Sequence, residues 1–208
     1  RAAAPLDEDL ALEAAAGVWC EDDEVTWRRG RVTARRVTRL GAIELTSTPV
    51  SDPDPAAVTA AVREALRRDG LGVLRWSDTA IGLRQRLDFL HRTLGEPWPD
   101  VGDDALLDRI GTWLDDPSRI DTTVALRRLL PWPEASRLDE LAPERLATPG
   151  GGSIRVDYSG EQPVLALRIQ EAFGWSATPR LAGGRVPVLL HLLTPARRPA
   201  AVTADLES

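Results

Sequence analysis

The stretch of sequence with the clearest chemical potential is rich in arginine and runs from residue 27 to residue 39, WRRGRVTARRVTR. Its valine and threonine residues favour extended strands. Guanidinium groups on such strands could follow the phosphate backbone of a nucleic acid, with an aromatic side chain nearby to stack on a base. The candidate phosphate contacts are therefore Arg28, Arg29, Arg31, Arg35 and Arg36. The alternative is a solvent-exposed sheet face whose charge is balanced by the acidic run at residues 21–24.

A second pair of arginines, Arg197 and Arg198, lies near the end of the sequence in TPARRPAAV. The flanking prolines fix φ, which lowers the entropy that a bound conformation would lose. Arginine can donate two parallel hydrogen bonds to one oxyanion. The pair could hold a ligand, or it could neutralise acidic side chains and helix carbonyls within the protein, and both interpretations remain open.

The residues of common catalytic and metal-binding motifs are missing or badly spaced. All 26 basic residues are arginine, so no P-loop lysine exists, and the glycines at 150–152 lack GxGxxG spacing. His91 and His191 stand far apart without HExxH or CxxC context. The acidic pairs, which are Asp22-Asp23, Asp103-Asp104 and Asp115-Asp116, are best interpreted as helix caps or turns. The sequence predicts no catalytic residue and no metal ligand.

The composition is that of a globular protein with 43% hydrophobic and 28% charged residues and a net charge of −6. The acidic balance argues against a nucleic-acid-binding surface over the whole molecule, although a local basic stripe is compatible with it. No apolar run reaches the roughly 20 residues of a membrane span, and the start does not resemble a signal peptide. Together with a single cysteine, Cys20, this predicts a cytoplasmic protein.

The order of patterns along the chain predicts an α+β fold. After a short helix at 6–16, the valine- and threonine-rich residues 17–46 are typical of an antiparallel meander. A proline-rich breaker at 47–55 precedes a group of helices. These are expected at 55–70, 77–95, 103–115 and 122–130, from helical spacing, caps and terminal glycines. The predicted segments are a β-rich part at 1–50, a helical part at 51–135 and an α+β part at 136–208.

The last segment is predicted to contain a strand at SIRVDYS, a helix at PVLALRIQEAFG, and further strands at RVPVLLHLLTP and AAVTAD. The helix is expected because Val164, Leu167 and Phe173 fall on helical spacing. The seven tryptophans are predicted to be packing anchors. Any tryptophan left exposed would mark a surface that another domain covers.

Residues 141–206 also carry a long set of short motifs. They are LAP at 141–143, DY at 157–158, PVLA at 163–166, QEAFG at 170–174, TP at 178–179, GR at 184–185 and TPARRP at 194–199. Together these motifs resemble the C-terminal region of the HrpB family, bacterial ATP-dependent helicases of the DEAH-box group. RLGAIEL at 39–45 and the WLDD segment that begins at Trp113 are similar to upstream parts of the same region.

This resemblance implies a role within a larger RNA helicase. ATP and Mg²⁺ would be bound by RecA-like core domains that precede residue 1, and no cofactor is expected within this chain. A basic, aromatic-rich closing segment would follow residues 205–206. Residues 1 to about 50 would be the later part of an OB-like barrel, a fold that binds single strands along one face. No catalytic residue transfers from the family to this sequence.

The expected function is accordingly that of an accessory C-terminal region that assists nucleic-acid binding and packs on the helicase core. Its expected partners are that core and single-stranded RNA or DNA. An unpaired edge of the meander could also pair with a second copy. The alternative is a protein-interaction or structural module without nucleic-acid contact, built on its tryptophan- and proline-rich surfaces.

Overall fold

The computed structural model of the protein describes residues 18–28, 30–114, 120–194, 196 and 198–205. The helix expected at 6–16 and the acidic pair Asp115-Asp116 lie outside these residues. The chain divides into two compact units, residues 1–75 with 114–120 and residues 76–113 with 121–208. This division differs from the three sequence segments because the first helix packs on the sheet, whereas the later helices join the C-terminal part.

The sheet of the first unit has the strand order β1-β2-β3 and is antiparallel throughout. Its strands are β1 (Trp19–Arg28), β2 (Arg31–Leu40) and β3 (Ile43–Pro49). The predicted meander is therefore confirmed. Asp22-Asp23, interpreted from the sequence as a cap or turn, instead lies within β1, where both residues pair with β2. An irregularity between Thr38 and Arg39 shifts the register of β3. The assignment of this sheet to an OB-like barrel stays a prediction.

The first helix, α1 (Pro55–Asp69), begins and ends where its sequence signals predict. The Asp54 side chain accepts hydrogen bonds from the backbone N–H groups of residues 56 and 57, and proline occupies the first helical position. Gly70 ends the helix at a φ of 75°, a conformation that suits glycine. The apolar residues that recur at helical spacing in this segment are buried, namely Val58, Val62, Ala65 and Leu66.

The second unit begins with a longer helix followed by several short ones. They are α2 (Asp78–Leu94), α3 (Asp103–Asp108), α4 (Ile110–Trp113), α5 (Thr122–Arg127) and α6 (Leu138–Leu141). Ser77 caps α2 by accepting from the N–H of Ala80, as its position predicts. The single helix expected at 103–115 is divided at Arg109, where the N–H of Thr112 bonds three residues back to the Arg109 carbonyl.

The strands of the second unit form three small sheets within the described residues. The hairpin of β4 (Arg145–Ala147) and β5 (Ser153–Arg155) is followed by β6 (Val164–Arg168), α7 (Ile169–Ala172) and the pair β7 (Arg180–Leu181) and β8 (Val186–Pro187). The last strands are β9 (Leu189–Leu193) and β10 (Pro199–Thr203), in the order β10-β9-β6. Strand β6 runs parallel to β9, and β10 runs antiparallel to it.

The predicted helix over PVLALRIQEAFG is wrong in its first half, because Val164–Arg168 is strand β6. Leu165 and Leu167 are buried and alternate with exposed neighbours, which is the two-residue period of a strand. The apolar spacing fits both a helix and a strand over so short a stretch. Pairing with β9, about 25 residues away in sequence, decides in favour of the strand.

Three of the seven tryptophans, Trp27, Trp98 and Trp113, are at most 3% exposed and serve as packing anchors. In the second unit the Trp113 ring stacks on Trp76 with centroids 6.5 Å apart, and the guanidinium of Arg84 lies 5.1 Å from the centroid of Trp76. Trp19 and Trp132 are exposed instead. No helix in the described parts of the chain is long and apolar enough to cross a membrane.

Candidate functional site

The candidate strand arginines are divided between the two faces of the first sheet. Side chains alternate along a strand, and the register pairs Arg28 with Arg31 and Asp23 with Arg36. Arg28, Arg31 and Arg35 therefore share one face, whereas Arg36 lies on the other. The sequence pattern predicted the strands but not this division. Arg29 lies outside the described residues.

Arg36 is held by acidic residues on its own face. Its Nε and Nη2 donate to the two carboxylate oxygens of Asp23 over 2.8 and 3.0 Å, and its Nε lies 3.6 Å from the Glu21 carboxylate. This bidentate geometry occupies the guanidinium edge that would otherwise contact a phosphate. Arg36 thus matches the alternative interpretation, in which the acidic run balances the arginines.

On the face opposite Arg36, an acidic residue neutralises the arginine at one end of the sheet, whereas the arginines towards the other end form no ion pair with a described residue. Arg39 donates to the Glu24 carboxylate, which lies directly across from Arg35 in the register. Arg28, Arg31 and Arg35 are exposed and form no ion pair with a described residue, although Arg28 lies within electrostatic reach of Asp69. Positive charge is therefore concentrated where β1 turns into β2.

The cross-strand pair Arg28 and Arg31 is the most informative feature of this face. The two residues are direct partners in the register, and like charges in that position destabilise a sheet. An anion placed between the two guanidinium groups would relieve the repulsion. The arrangement can bind an oxyanion, but it contains no group that would transform one.

Of the C-terminal arginines, Arg198 lies in the connection between β9 and β10. The N–H of Arg198 donates to the hydroxyl of Thr194, and the carbonyl of Arg198 accepts from the N–H of Thr194. These bonds close a turn and leave Arg198 exposed. Arg197 lies outside the described residues, so the geometry of the pair as a clamp stays a prediction.

Two further polar side chains, Asp103 and Cys20, are engaged by their neighbours. Asp103 pairs with Arg84 over 2.5 Å, and no group of three metal-ligating side chains occurs within the described residues. The thiol of Cys20 donates to Asp22, which raises the pKa of the thiol. A raised pKa is the opposite of what a nucleophilic cysteine needs.

The pairing of Arg36 with Asp23 gives a testable pH dependence. The hydrogen bond from Arg36 lowers the pKa of the Asp23 carboxyl, so its titration midpoint should fall below the ordinary value of about 3.9. Because the pKa is lowered in the folded state, the contribution of the pair to stability is present above that ordinary value. It is lost as the pH falls through the folded pKa.

Carbon-13 NMR of the Asp23 carboxyl during an acid titration measures this midpoint. Arg36→Gln should move the midpoint upward towards the ordinary value. The matched control is Arg35→Gln, which removes the neighbouring charge from the opposite face and should leave the midpoint of Asp23 almost unchanged. Equal shifts in the two variants would contradict the pairing.

A second cluster of arginines, which the sequence patterns did not reveal, lines a pocket in the second unit. Strands β4 and β5 place Arg145 directly across from Arg155, and both border a pocket of about 210 Å³ beside α2. The available signal was the symmetry of RLATPGGGSIR about Gly150, which is typical of a hairpin. It was missed because only SIRVDYS was interpreted as a strand.

The fold and sequence of this chain define its class. Residues 109–208 match the family model described as ATP-dependent helicase C-terminal, HrpB_C. In an alignment of 200 positions that covers 89% of this chain, it is 36% identical to the ATP-dependent RNA helicase HrpB of Escherichia coli strain K12. Sequence and fold together show that it corresponds to the C-terminal region of an HrpB-like helicase.

Two crystal structures of the Escherichia coli protein have the same fold. The one described as the DExH-box NTPase HrpB matches 98% of this chain with a TM-score of 0.70 and 33% identity. The one described as the DEAH/RHA helicase HrpB matches 92% with a TM-score of 0.68 and 34% identity. This chain spans about a quarter of the length of these relatives.

Proposed function

We propose that this chain is an accessory part of an ATP-dependent RNA helicase and that it adds phosphate contacts to a single strand held by the rest of the protein. The observation that carries the proposal is the cross-strand pair Arg28 and Arg31, which is exposed and forms no ion pair with a described residue. Arg35 continues the same face. A polyanion is the ligand that such a face would bind with least cost.

Within the whole protein, nucleotide binding and the proposed phosphate contacts belong to different domains. ATP and Mg²⁺ are bound by core domains outside this chain, in keeping with a sequence that has no lysine for a P-loop. The meander contributes to an OB-like surface, and Arg29, Arg197 and Arg198 are additional phosphate contacts. Arg36 stabilises the sheet through Asp23. The parent protein works in the cytoplasm, as the single cysteine and the nucleic-acid partner suggest.

Binding of single-stranded RNA as a function of salt concentration tests the proposal. The change is the triple substitution Arg28→Gln, Arg31→Gln and Arg35→Gln. If each arginine neutralises one phosphate, the plot of log K against log salt should become shallower by about 2, since a single strand contributes roughly 0.7 for each contact. Fluorescence anisotropy with a labelled oligoribonucleotide measures both slopes.

The matched control removes the same charge elsewhere, with Arg63→Gln, Arg67→Gln and Arg127→Gln. These side chains are exposed and lie on helices α1 and α5. The control should keep most of the salt slope of the unsubstituted chain. An unchanged slope in the sheet variant, or equal losses in both variants, would refute a phosphate-binding sheet.

The second candidate function is a protein-interaction module, favoured by the exposed aromatic residues of the second unit. Trp132 and Phe173 are 73% and 68% exposed, values unusual for such large side chains.

In the first unit every residue of β3 is exposed, so this edge could also accept a strand from the helicase core or a second copy. Preserved RNA binding in the sheet variant, together with lost association of Trp132→Ala with the core, would favour this function.

A further inference from the structure

The pocket beside α2 has walls from two elements of the second unit. One wall is the beginning of α2, where Thr79, Gly82 and Gln85 face the pocket, and the other is the β4–β5 hairpin with Arg145 and Arg155. Its volume of about 210 Å³ is below the roughly 300 Å³ at which pockets for drug-sized ligands begin. The space suits one small group rather than a whole nucleotide.

The two hairpin arginines provide unused donors at this pocket. They are direct cross-strand partners, which costs energy unless an anion lies between them. The Nε and Nη2 of Arg145 donate to the hydroxyl and the carbonyl of Ser153 over 2.9 and 2.5 Å, and these hydrogen bonds fix the direction of the guanidinium. Arg155 donates no hydrogen bond to a described residue, although it lies within electrostatic reach of the Asp157 carboxylate.

Gly82 allows the Arg155 side chain to approach the helix. A Cβ atom at this position would stand 3.2 Å from the Nη2 of Arg155, which is tighter than nine in ten real Cβ contacts. A glycine within a helix lowers helix stability relative to alanine. A larger residue at this position would push the Arg155 guanidinium a few tenths of an ångström away from the helix.

The carboxylates of the lining do not cancel these donors. Of the lining residues, three are arginines and two are the acids Asp78 and Glu144. Glu144 already accepts from the buried Arg86, whose Nη1 lies 3.2 Å away. Tyr158 is also engaged, since its hydroxyl donates to the Pro143 carbonyl. Asp78 is therefore the acid that most opposes an anion here.

We infer that this pocket binds a single phosphate group, held by the guanidinium groups of Arg145 and Arg155 and by the neutral side chains of Thr79 and Gln85. A phosphate monoester fits best because it carries close to two negative charges at neutral pH. Arg155 can offer its planar fork to the phosphate oxygens, and Arg145 adds the N–H groups that Ser153 does not occupy. The site lies in the other unit from the sheet arginines and does not depend on the proposed RNA contact.

Titration of the 208-residue chain with inorganic phosphate, followed by amide NMR at constant ionic strength with chloride as the balancing ion, tests the inference. Saturable shifts of the amides of Gly82, Arg145 and Arg155 are expected. Arg155→Gln and Arg145→Gln should each raise the Kd about tenfold, the effect of losing one charge-assisted hydrogen bond. Asp78→Asn should lower the Kd roughly threefold, because it removes an opposing charge.

The matched control is Arg127→Gln, which removes one exposed positive charge of the same unit from outside the pocket lining. It should leave the Kd for phosphate nearly unchanged. Absence of saturable shifts, or the same Kd in Arg155→Gln and in the unsubstituted chain, would overturn the site. An effect of Arg127→Gln as large as that of Arg155→Gln would do the same, because it would show a general charge effect.

Competition by short oligoribonucleotides distinguishes the source of the phosphate. An oligonucleotide with a 5′-phosphate that displaces inorganic phosphate, beside one with a 5′-hydroxyl that does not, would assign the site to a nucleic-acid end. If both fail to compete while inorganic phosphate still binds, the site is assigned to a free small phosphate. Arg155→Gln must weaken whichever ligand binds.

Discussion

Replacing Trp113 by alanine is expected to lower the free energy of unfolding by about 4 kcal/mol, within the roughly 3–5 kcal/mol typical of such truncations. Trp113 is fully buried, and its indole Nε1–H donates to the Leu106 carbonyl over 2.9 Å. Its ring also stacks on Trp76. The substitution opens a cavity, removes the aromatic contact and leaves a buried carbonyl without its donor. Urea denaturation followed by circular dichroism measures the loss.

The matched control is Trp132→Ala in the same unit. Trp132 is 73% exposed, so its truncation should change the free energy of unfolding by no more than about 0.5 kcal/mol. Trp113→Phe should fall between the two, because it keeps most of the volume and loses the N–H donor. Similar losses for Trp113→Ala and Trp132→Ala would mean that Trp113 does not anchor this core.

Replacing Arg86 by alanine is expected to cost roughly 3 kcal/mol, which combines a buried acceptor left unsatisfied with lost packing of the side-chain stem. Arg86 lies on α2 with only 5% of its side chain exposed. It donates to the Ala142 carbonyl over 2.5 Å and to the carboxylates of Asp139 and Glu144. One guanidinium thus joins α2 to the chain on both sides of Ala142.

Arg86→Ala should lower the free energy of unfolding by less than the loss of one partner of a fully buried ion pair would. The carboxylates of Asp139 and Glu144 are 86% and 70% exposed, so water can hydrate them after the change. Arg86→Lys should recover only part of the stability, since an ammonium group cannot reach three acceptors in the directions of a planar fork. Urea denaturation again measures both variants.

The control for Arg86 is Arg137→Ala. Arg137 forms an exposed pair with Glu140 three residues along, with its Nη2 2.9 Å from the carboxylate, and solvent screens such pairs so that they contribute little to stability. A loss for Arg86→Ala no greater than that for Arg137→Ala would refute the role of Arg86 as a buried link.

The sequence predicted which arginines belong to the candidate site and that they lie on strands, but it did not predict how their side chains are arranged. The arginine-rich strands were expected, and the meander that carries them is present. Which arginine remains available depends on the register, because Asp23 lies across from Arg36 whereas Arg31 lies across from Arg28. A shift of one residue would exchange the two faces, and composition does not encode it.

By itself, the sequence determined the elements whose signals are local. The cap at Ser77, the acidic cap at Asp54 and the terminal glycines Gly70 and Gly95 act within one helical turn, so α1 and α2 could be predicted to within a residue. The resemblance to HrpB helicases also rests on local motifs and needed no coordinates.

Only the tertiary structure decided the features that depend on partners far along the chain. Val164–Arg168 is a strand because β9 pairs with it. The pocket exists because a hairpin sets Arg145 across from Arg155. Arg86 is buried because it binds acceptors that lie more than 50 residues away in the sequence. In each case the local pattern permits more than one outcome. The outcome is set by hydrogen bonds and apolar contacts that form only when distant segments pack together.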